Sequence, residues 1–203
     1  GYVKIIVTRG SDDHNFTIPA RSALQPNVLV YGKPIDLNAI EKVQSGVNCI
    51  TLDDDRGHHC DILSLNQLNN MMARAEAQKK NCYDAVFIKD GLLTEASHSN
   101  VCIVKAGVIW TPATNEHMIR GVTRSLVLTR TAPSAVVTSI DEASEPVRFE
   151  DMMTAEEVFL TNSQDGIIPV LSIDGNPIGG GKVGDVTKKI QEHYAHLMED
   201  GLP

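Results

Sequence analysis

The stretch AVFIKDGLLTEASHSNVCIVKAGVIWTP, residues 85–112, is the clearest indication of the fold in this 203-residue chain. It contains two hairpin-like units, each a strand, a glycine-containing turn and a second strand. The turns are Asp90-Gly91 and Ala106-Gly107. We therefore expect two consecutive strand pairs in one antiparallel or mixed sheet.

The flanking sequence adds helices and further strands to these hairpins. In residues 64–81, apolar side chains recur at helical spacing at Leu65, Leu68, Met72 and Ala75, which predicts an amphipathic helix. Further helices are expected from about Val122, around 149–157 and from Val183, and strands at 2–10, 47–52, 134–140, 157–161 and 166–178, with one or two more within 11–36. The fold class predicted is α/β, with a mixed, largely antiparallel sheet and flanking helices.

The start of the first amphipathic helix has a local signature. Ser64 followed by Gln67 predicts a capping box. Leu63 then occupies the position before the cap and forms a hydrophobic staple with Leu68. By local physics alone, Leu63 needs no functional role.

Composition excludes several classes of protein. The formal charge of −8, with basic residues spread along the chain, argues against a nucleic-acid or anionic-membrane surface. No apolar run approaches the roughly 20 residues that span a bilayer, and the N-terminus does not resemble a signal peptide, so we expect a cytoplasmic protein.

The four cysteines are expected to be free, buried thiols. Because a strand begins at residue 2, a further domain is expected before residue 1 in the parent protein.

Two further motifs suggest ligand sites, but their residues do not fit those sites. GGGKVGD, residues 179–185, has Asn176 and Val183 where a phosphate loop requires Gly and Ser or Thr, so it predicts only a turn. In HHCD only His58 and Cys60 share a strand face, and no partner pair stands at zinc-ligand spacing. No metal is predicted.

Three segments carry candidate site residues. Glu95 in TEASHSN lies at a strand end, as either a solvated carboxylate or the partner of a protonated ring nitrogen. Gly121 precedes a helix whose first residues, Val122 and Thr123, either simply start the helix or hold a phosphate. Small polar residues, Thr161, Asn162 and Ser163, end another strand, and this loop could converge on the same anion.

Together the motifs TRG, DI-L-SLN, TEASHSNV, RGVTR and FLTNSQDGIIPV, in this order, resemble the larger domain of the fold-type IV pyridoxal-phosphate enzymes. These include D-amino-acid and branched-chain transaminases and aminodeoxychorismate lyases. The resemblance implies that residues 1–203 form this larger domain, that the family's smaller N-terminal domain is absent, and that the protein is a homodimer. Site roles follow from the same resemblance: Glu95 pairs with the ring nitrogen of pyridoxal 5′-phosphate, Ile119 supports the ring face, and Gly121, Val122, Thr123, Asn162 and Ser163 bind the phosphate.

The resemblance also makes Leu63 unusual, because the family has there the lysine that carries the cofactor and moves protons. Three explanations are open for Leu63. The lysine was lost naturally, it was replaced by engineering so that bound substrate is trapped, or residue 63 is a cofactor-bearing lysine that was transcribed as leucine. The reaction implied is transfer of an amino group from an amino acid to a 2-oxo acid. Alternatives are a pyruvate-releasing lyase and a non-catalytic binding domain. His14 and Phe16 stand where D-amino-acid transaminases place an Arg and a His, which argues against a D-amino-acid substrate.

Overall fold

The computed structural model describes residues 1–11, 25–131 and 146–200. It divides into two compact units, Gly1–Asn38 and Ala39–Pro203. The strand predicted at 134–140 and the residues His14 and Phe16 lie outside the described part of the chain.

The first unit contains a two-stranded antiparallel ribbon of β1 (Tyr2–Thr8) and β2 (Asn27–Lys33). The register runs from Tyr2 opposite Lys33 to Thr8 opposite Asn27. Directly opposed residues share a face, and one face therefore presents a set of exposed aliphatic side chains: Val3, Ile5, Val7, Val28 and Val30. Neither strand contains a fully buried residue.

The second unit is built on one mixed sheet. Its strands are β3 (Val47–Asp53), β4 (Asp84–Lys89), β5 (Leu92–Ala96), β6 (Asn100–Lys105), β7 (Val108–Trp110), β8 (Glu157–Asn162), β9 (Gly166–Ile173) and β10 (Asn176–Pro177). The strand order is β5-β4-β3-β9-β8-β6-β7, with β10 paired to β9. β3 runs parallel to β4 and β9, and the other pairings are antiparallel. The predicted α/β class with a mixed, largely antiparallel sheet is confirmed.

Both predicted hairpins form, but they are not neighbours in the sheet. β4–β5 and β6–β7 occupy opposite ends of the strand order. The expectation of consecutive pairs was wrong because β3 pairs with β4, and β8 pairs with β6, so distant segments of the chain lie between the hairpins.

The helices are α1 (Leu37–Gln44), α2 (Leu68–Lys79), α3 (Val122–Leu126), which continues as a π-helical turn over Val127–Thr131, α4 (Phe149–Met153) and α5 (Asp185–Glu199). Helix α1 was not predicted from the sequence, because only strands were assigned before residue 47.

Among the described residues, no helix is long and apolar enough to cross a membrane. All four cysteines are free, as predicted, although Cys60 and Cys82 are only partly buried.

Three details predicted for α2 were wrong. The helix begins at Leu68 with Gln67 as N-cap and no side-chain cap, and the Ser64 hydroxyl instead accepts the Asn66 N–H at 3.2 Å. Leu63 and Leu68 are both exposed, so there is no staple. The predicted apolar face is also exposed, because α2 packs on the sheet through its small residues Ala73 and Ala77.

Candidate active site

A cavity of about 410 Å³ opens beside the end of β5. Its wall comes from the connection before α2, the start of α2 and two residues from elsewhere. The lining residues are Arg56, His58, His59, Cys60, Ile62, Ser64, Asn66, Gln67, Leu68, Asn69, Asn70, Glu95 and Ile119. The cavity thus combines a buried carboxylate with many carboxamides.

Glu95 is the buried carboxylate of this cavity. Its Oε1 accepts a hydrogen bond from Arg56 Nη1 at 2.5 Å. Its Oε2 accepts the backbone N–H of Ile119 at 2.9 Å and the side-chain amide of Asn100 at 3.2 Å. Three donors from separate parts of the chain therefore fix the position of the carboxylate.

Arg56 lies between two carboxylates, and its side chain is almost fully buried. Its Nε and Nη2 donate to Asp54 at 2.9 and 2.8 Å, and Nη2 also donates to the His117 carbonyl at 2.8 Å. The guanidinium stacks on the Phe87 ring at 4.3 Å. Two carboxylates face one guanidinium, so the ionised cluster carries one excess negative charge.

Burial and charge act in opposite directions on this cluster. Burial raises the pKa of the Glu95 carboxyl to about 7, and Arg56 opposes that rise. Burial also disfavours ionised Asp54, but hydrogen bonds from Arg56 and Thr94 outweigh it and lower the pKa of Asp54. Glu95 is therefore a carboxyl group that titrates near neutral pH at the cavity wall.

Asn100 and Gly121 join Glu95 to the start of α3. The Asn100 amide donates to the Ile119 carbonyl at 2.8 Å as well as to Glu95. A Cβ at Gly121 would clash with Asn100 Oδ1, so a larger residue there would displace the Asn100 side chain that holds Glu95. Gly121 is the N-cap of α3, as predicted. Its close contact with Asn100 is a second structural reason for glycine at this position.

The predicted phosphate-binding residues lie outside the lining of the cavity. Val122 is exposed and the Thr123 side chain is buried. The Asn162 Oδ1 accepts the N–H groups of Gln164 and Asp165 at 3.0 and 2.7 Å. Ser163 is exposed.

Thr161 lies next to these loop residues and has an unusual environment. It is directly opposite Asn100 in the β6–β8 ladder. Its hydroxyl is buried and has no hydrogen-bond partner among the residues that the structure describes. A buried hydroxyl in this state needs a partner that the described residues do not supply.

Leu63 lies between two residues of the cavity wall, Ile62 and Ser64, and is 73% exposed. None of the described residues that line the cavity is a lysine. His59, four residues earlier, has a positive φ of 65°, a backbone conformation that costs energy for a residue with a Cβ.

Of the site residues predicted from sequence, the structure brings Glu95 and Ile119 into one cavity and links Gly121 to them through Asn100. Sequence reasoning missed Arg56 and Asn100. Asn100 belongs to the quoted TEASHSN motif, which was a usable signal, whereas Arg56 in DDDRG has the composition of an exposed turn.

The chain belongs to the class IV aminotransferase family, whose model matches residues 1–173. It is 37% identical over 191 residues to a D-alanine aminotransferase of Bacillus licheniformis, an alignment that covers 94% of this chain and 65% of that protein. The chain thus spans about two thirds of the length of this relative.

Solved structures show the same fold. A branched-chain aminotransferase of Thermoproteus uzoniensis with norvaline has a TM-score of 0.81 at 24% identity, covering 96% of this chain and 63% of that one. A branched-chain enzyme of Thermobaculum terrenum in its pyridoxal-phosphate form has 0.79 at 20%, covering 98% and 64%. A putative 4-amino-4-deoxychorismate lyase of Legionella pneumophila has 0.77 at 19%, covering 98% and 69%. The predicted family and fold are confirmed, and so is pyridoxal 5′-phosphate as the family's cofactor.

Proposed function

We propose that this chain binds pyridoxal 5′-phosphate in the cavity beside β5, with Glu95 against the ring nitrogen. The observation that supports this most directly is the fixed, buried Glu95 carboxylate on the cavity wall. Oε1 accepts one hydrogen bond and has the capacity for a second. A protonated pyridine nitrogen supplies the missing donor, and its positive charge balances the excess negative charge of the cluster.

Two further observations fit the rest of the cofactor. Ile119 lines the cavity beside Glu95 and offers an apolar surface to a ring face. The unpartnered Thr161 hydroxyl lies opposite Asn100, in the strand that leads to Asn162 and Ser163. We assign the phosphate to this region, with the N–H groups of Val122 and Thr123 as further donors.

The bound cofactor would act as an electron sink for a bond at the α-carbon of an amino acid. Glu95 keeps the ring nitrogen protonated, and Arg56 and Asn100 hold Glu95 in place. The reaction proposed is transfer of an amino group from an amino acid to a 2-oxo acid, in a cytoplasmic homodimer. Leu63 cannot accept or release a proton, so the proton-transfer step is expected to be very slow in this chain.

The test compares the chain with its Leu63→Lys variant, both loaded with pyridoxal 5′-phosphate. D-alanine is the first amino donor to assay, because the curated relative is named for it, with L-alanine as the stereochemical control. We expect 2-oxo acid formation to rise at least 100-fold in Leu63→Lys, since general acid–base catalysis typically contributes about 10² to 10⁴.

A second substitution tests the role of the carboxylate. Adding Glu95→Gln to the Leu63→Lys variant should abolish most of this gain, because an amide cannot hold the ring nitrogen protonated. If Leu63→Lys gains nothing although it binds the cofactor, the assignment of the catalytic position is wrong. If neither protein binds the cofactor, the proposed function as a whole is wrong.

A further inference from the structure

We propose that the exposed side of α2 is the surface on which a second copy of this chain packs, with the two α2 helices antiparallel across a twofold axis. This surface, the α2 face, consists of Ile62, Leu68, Met71, Met72 and Ala75. The contact rests on the proposed function, because it is the interface of the homodimer proposed there.

The apolar stripe of α2 faces away from the core. Leu68, Met71, Met72 and Ala75 follow the i, i+3, i+4, i+7 spacing of one side of a helix. The three large side chains among them are nevertheless 62%, 69% and 63% exposed. The sheet is contacted instead by the two buried alanines of the helix. An apolar stripe at this spacing is the side that a helix normally buries, so the α2 face requires a covering surface.

The exposed apolar surface around α2 is large enough for an interface. Ile62, Leu63 and Leu65, just before the helix, are also at least 60% exposed. At roughly 100 Å² for each side chain, these residues and the large residues of the stripe present on the order of 600 Å² of apolar surface. This is the upper end of what a typical monomer exposes, about 300–600 Å², and most of the roughly 800 Å² that each partner contributes to a stable interface. A second copy supplies a matching surface of equal size.

The charges at the two ends of α2 favour a second copy over an unrelated partner. Asp55 lies at the start of the helix, where the Asn69 amide donates to its carbonyl and carboxylate oxygens at 3.2 and 3.4 Å. At the other end Lys79 and Lys80 are exposed, and Glu76 offsets only one of them. A twofold axis across the middle of α2 places the acidic start of each helix beside the basic end of the other, so the favourable pairing occurs twice.

The α2 face also borders the cavity. Ile62 and Leu68 belong to the face and line the cavity as well. A second copy packed on the face therefore forms part of the outer wall of the proposed cofactor site. That wall is incomplete in a single chain.

Sedimentation equilibrium of the unmodified chain without cofactor measures the contact directly, and we expect a dimer. Replacing both methionines, Met71→Lys with Met72→Lys, should raise the dimer dissociation constant at least about 100-fold, because it puts charges at the centre of the interface. Met198→Lys is the matched control, since Met198 is an exposed methionine on α5. It should leave the dissociation constant unchanged within about threefold. Urea unfolding checks that each variant is folded.

A charge exchange tests the antiparallel arrangement. Asp55→Lys should weaken the dimer about tenfold, because it places like charges together at both ends of the contact. Adding Lys79→Asp should restore most of the affinity. The matched control adds Lys188→Asp instead, because Lys188 on α5 is exposed and paired with an acid three residues earlier, as Lys79 is. This second combination should restore nothing.

The outcomes are distinguishable from those of the proposed function, because none of these measurements requires the cofactor. A chain that stays monomeric refutes the second copy as the occupant and leaves the α2 face to a different partner. A dimer that the methionine variants and Met198→Lys weaken equally, or that neither weakens, places the interface elsewhere and also refutes the proposal. If Lys79→Asp restores no more affinity than Lys188→Asp, the antiparallel arrangement is wrong. Failure of the proposed function would appear separately, as absence of pyridoxal 5′-phosphate binding.

Discussion

Arg56 determines the charge balance of the candidate site. Its guanidinium contacts both Asp54 and Glu95, and all three side chains are almost inaccessible to solvent. Removing one partner of a buried ion pair is costly, because the remaining charge is left without compensation. Arg56 therefore stabilises the fold and also controls the protonation of the group assigned to the cofactor nitrogen.

The Arg56→Met variant should lose about 3–5 kcal/mol of unfolding free energy, and the loss should grow between pH 7 and pH 9. The pKa of Glu95, already raised by burial to about 7, rises further without the cation. A raised carboxyl pKa means that the folded state binds more protons than the unfolded state, so stability falls as pH rises through that window. Urea unfolding at several pH values measures the effect.

Arg124→Met is the matched control for this prediction. Arg124 is also buried, but it donates to neutral acceptors, the Thr111 hydroxyl and the Pro112 carbonyl, at 3.0 and 2.9 Å. Its removal should destabilise the protein by an amount that hardly changes between pH 7 and pH 9. If both variants show the same pH dependence, Arg56 does not control the titration of Glu95.

At the residue scale, the sequence identified side chains that belong to a local pattern. Glu95 was predicted because the TEASHSN motif resembles one of the family; its position at a strand end alone was equally consistent with a solvated carboxylate. Arg56 was missed, since its role depends on contact with Glu95, 39 residues away in sequence. Long-range ion pairs of this kind leave no signal in the spacing of a single sequence.

At the scale of elements, the hairpin turns follow local rules closely. Asp90-Gly91 and Ala106-Gly107 have positive φ at both residues, with values of 52°, 77°, 50° and 71°. This is the conformation of a two-residue type I′ hairpin, for which Asn-Gly and Asp-Gly are the preferred pairs. Alanine at the first position is therefore a poor choice for the second hairpin.

Replacing Ala106 by Asn should stabilise the protein by about 1 kcal/mol, because asparagine tolerates the left-handed conformation better than alanine. The corresponding change in the first hairpin, Asp90→Asn, should alter stability by less than about 0.5 kcal/mol, since aspartate is already suited to the turn. Thermal unfolding of both variants measures the difference. An equal shift in the two would contradict the explanation from turn geometry.

Sequence patterns predicted elements better than they predicted how the elements pack. Both hairpins and α2 could be predicted because a turn or a helix is determined by neighbouring residues. The sheet order could not, since the parallel pairing of β3 with β9 joins Val47 to Val170. The face of α2 was wrong because the helix approaches the sheet through Ala73 and Ala77, whereas hydrophobic periodicity weights the larger Leu and Met side chains.

At the scale of the whole molecule, the two units differ in how much apolar surface they bury. The second unit has several clusters of fully buried side chains across its sheet. In the first unit, the described residues form a ribbon with no buried residue, and Val3, Ile5 and Val7 are more than 60% exposed. An isolated two-stranded hairpin is at best marginally stable in water.

We therefore expect a peptide of residues 1–38 to be unfolded by itself, and a fragment of residues 39–203 to unfold cooperatively. Burial supplies about 25 cal/mol for each Å² of apolar surface, and the ribbon removes too little surface from water to offset the conformational entropy of its strands. Amide proton dispersion in NMR spectra of the peptide and urea unfolding of the fragment measure the two expectations. Dispersed strand-like shifts in the peptide would contradict the first, and a broad, non-cooperative transition in the fragment would contradict the second. A folded peptide would mean that strand pairing alone stabilises the ribbon, although its face of Val3, Ile5, Val7, Val28 and Val30 is exposed.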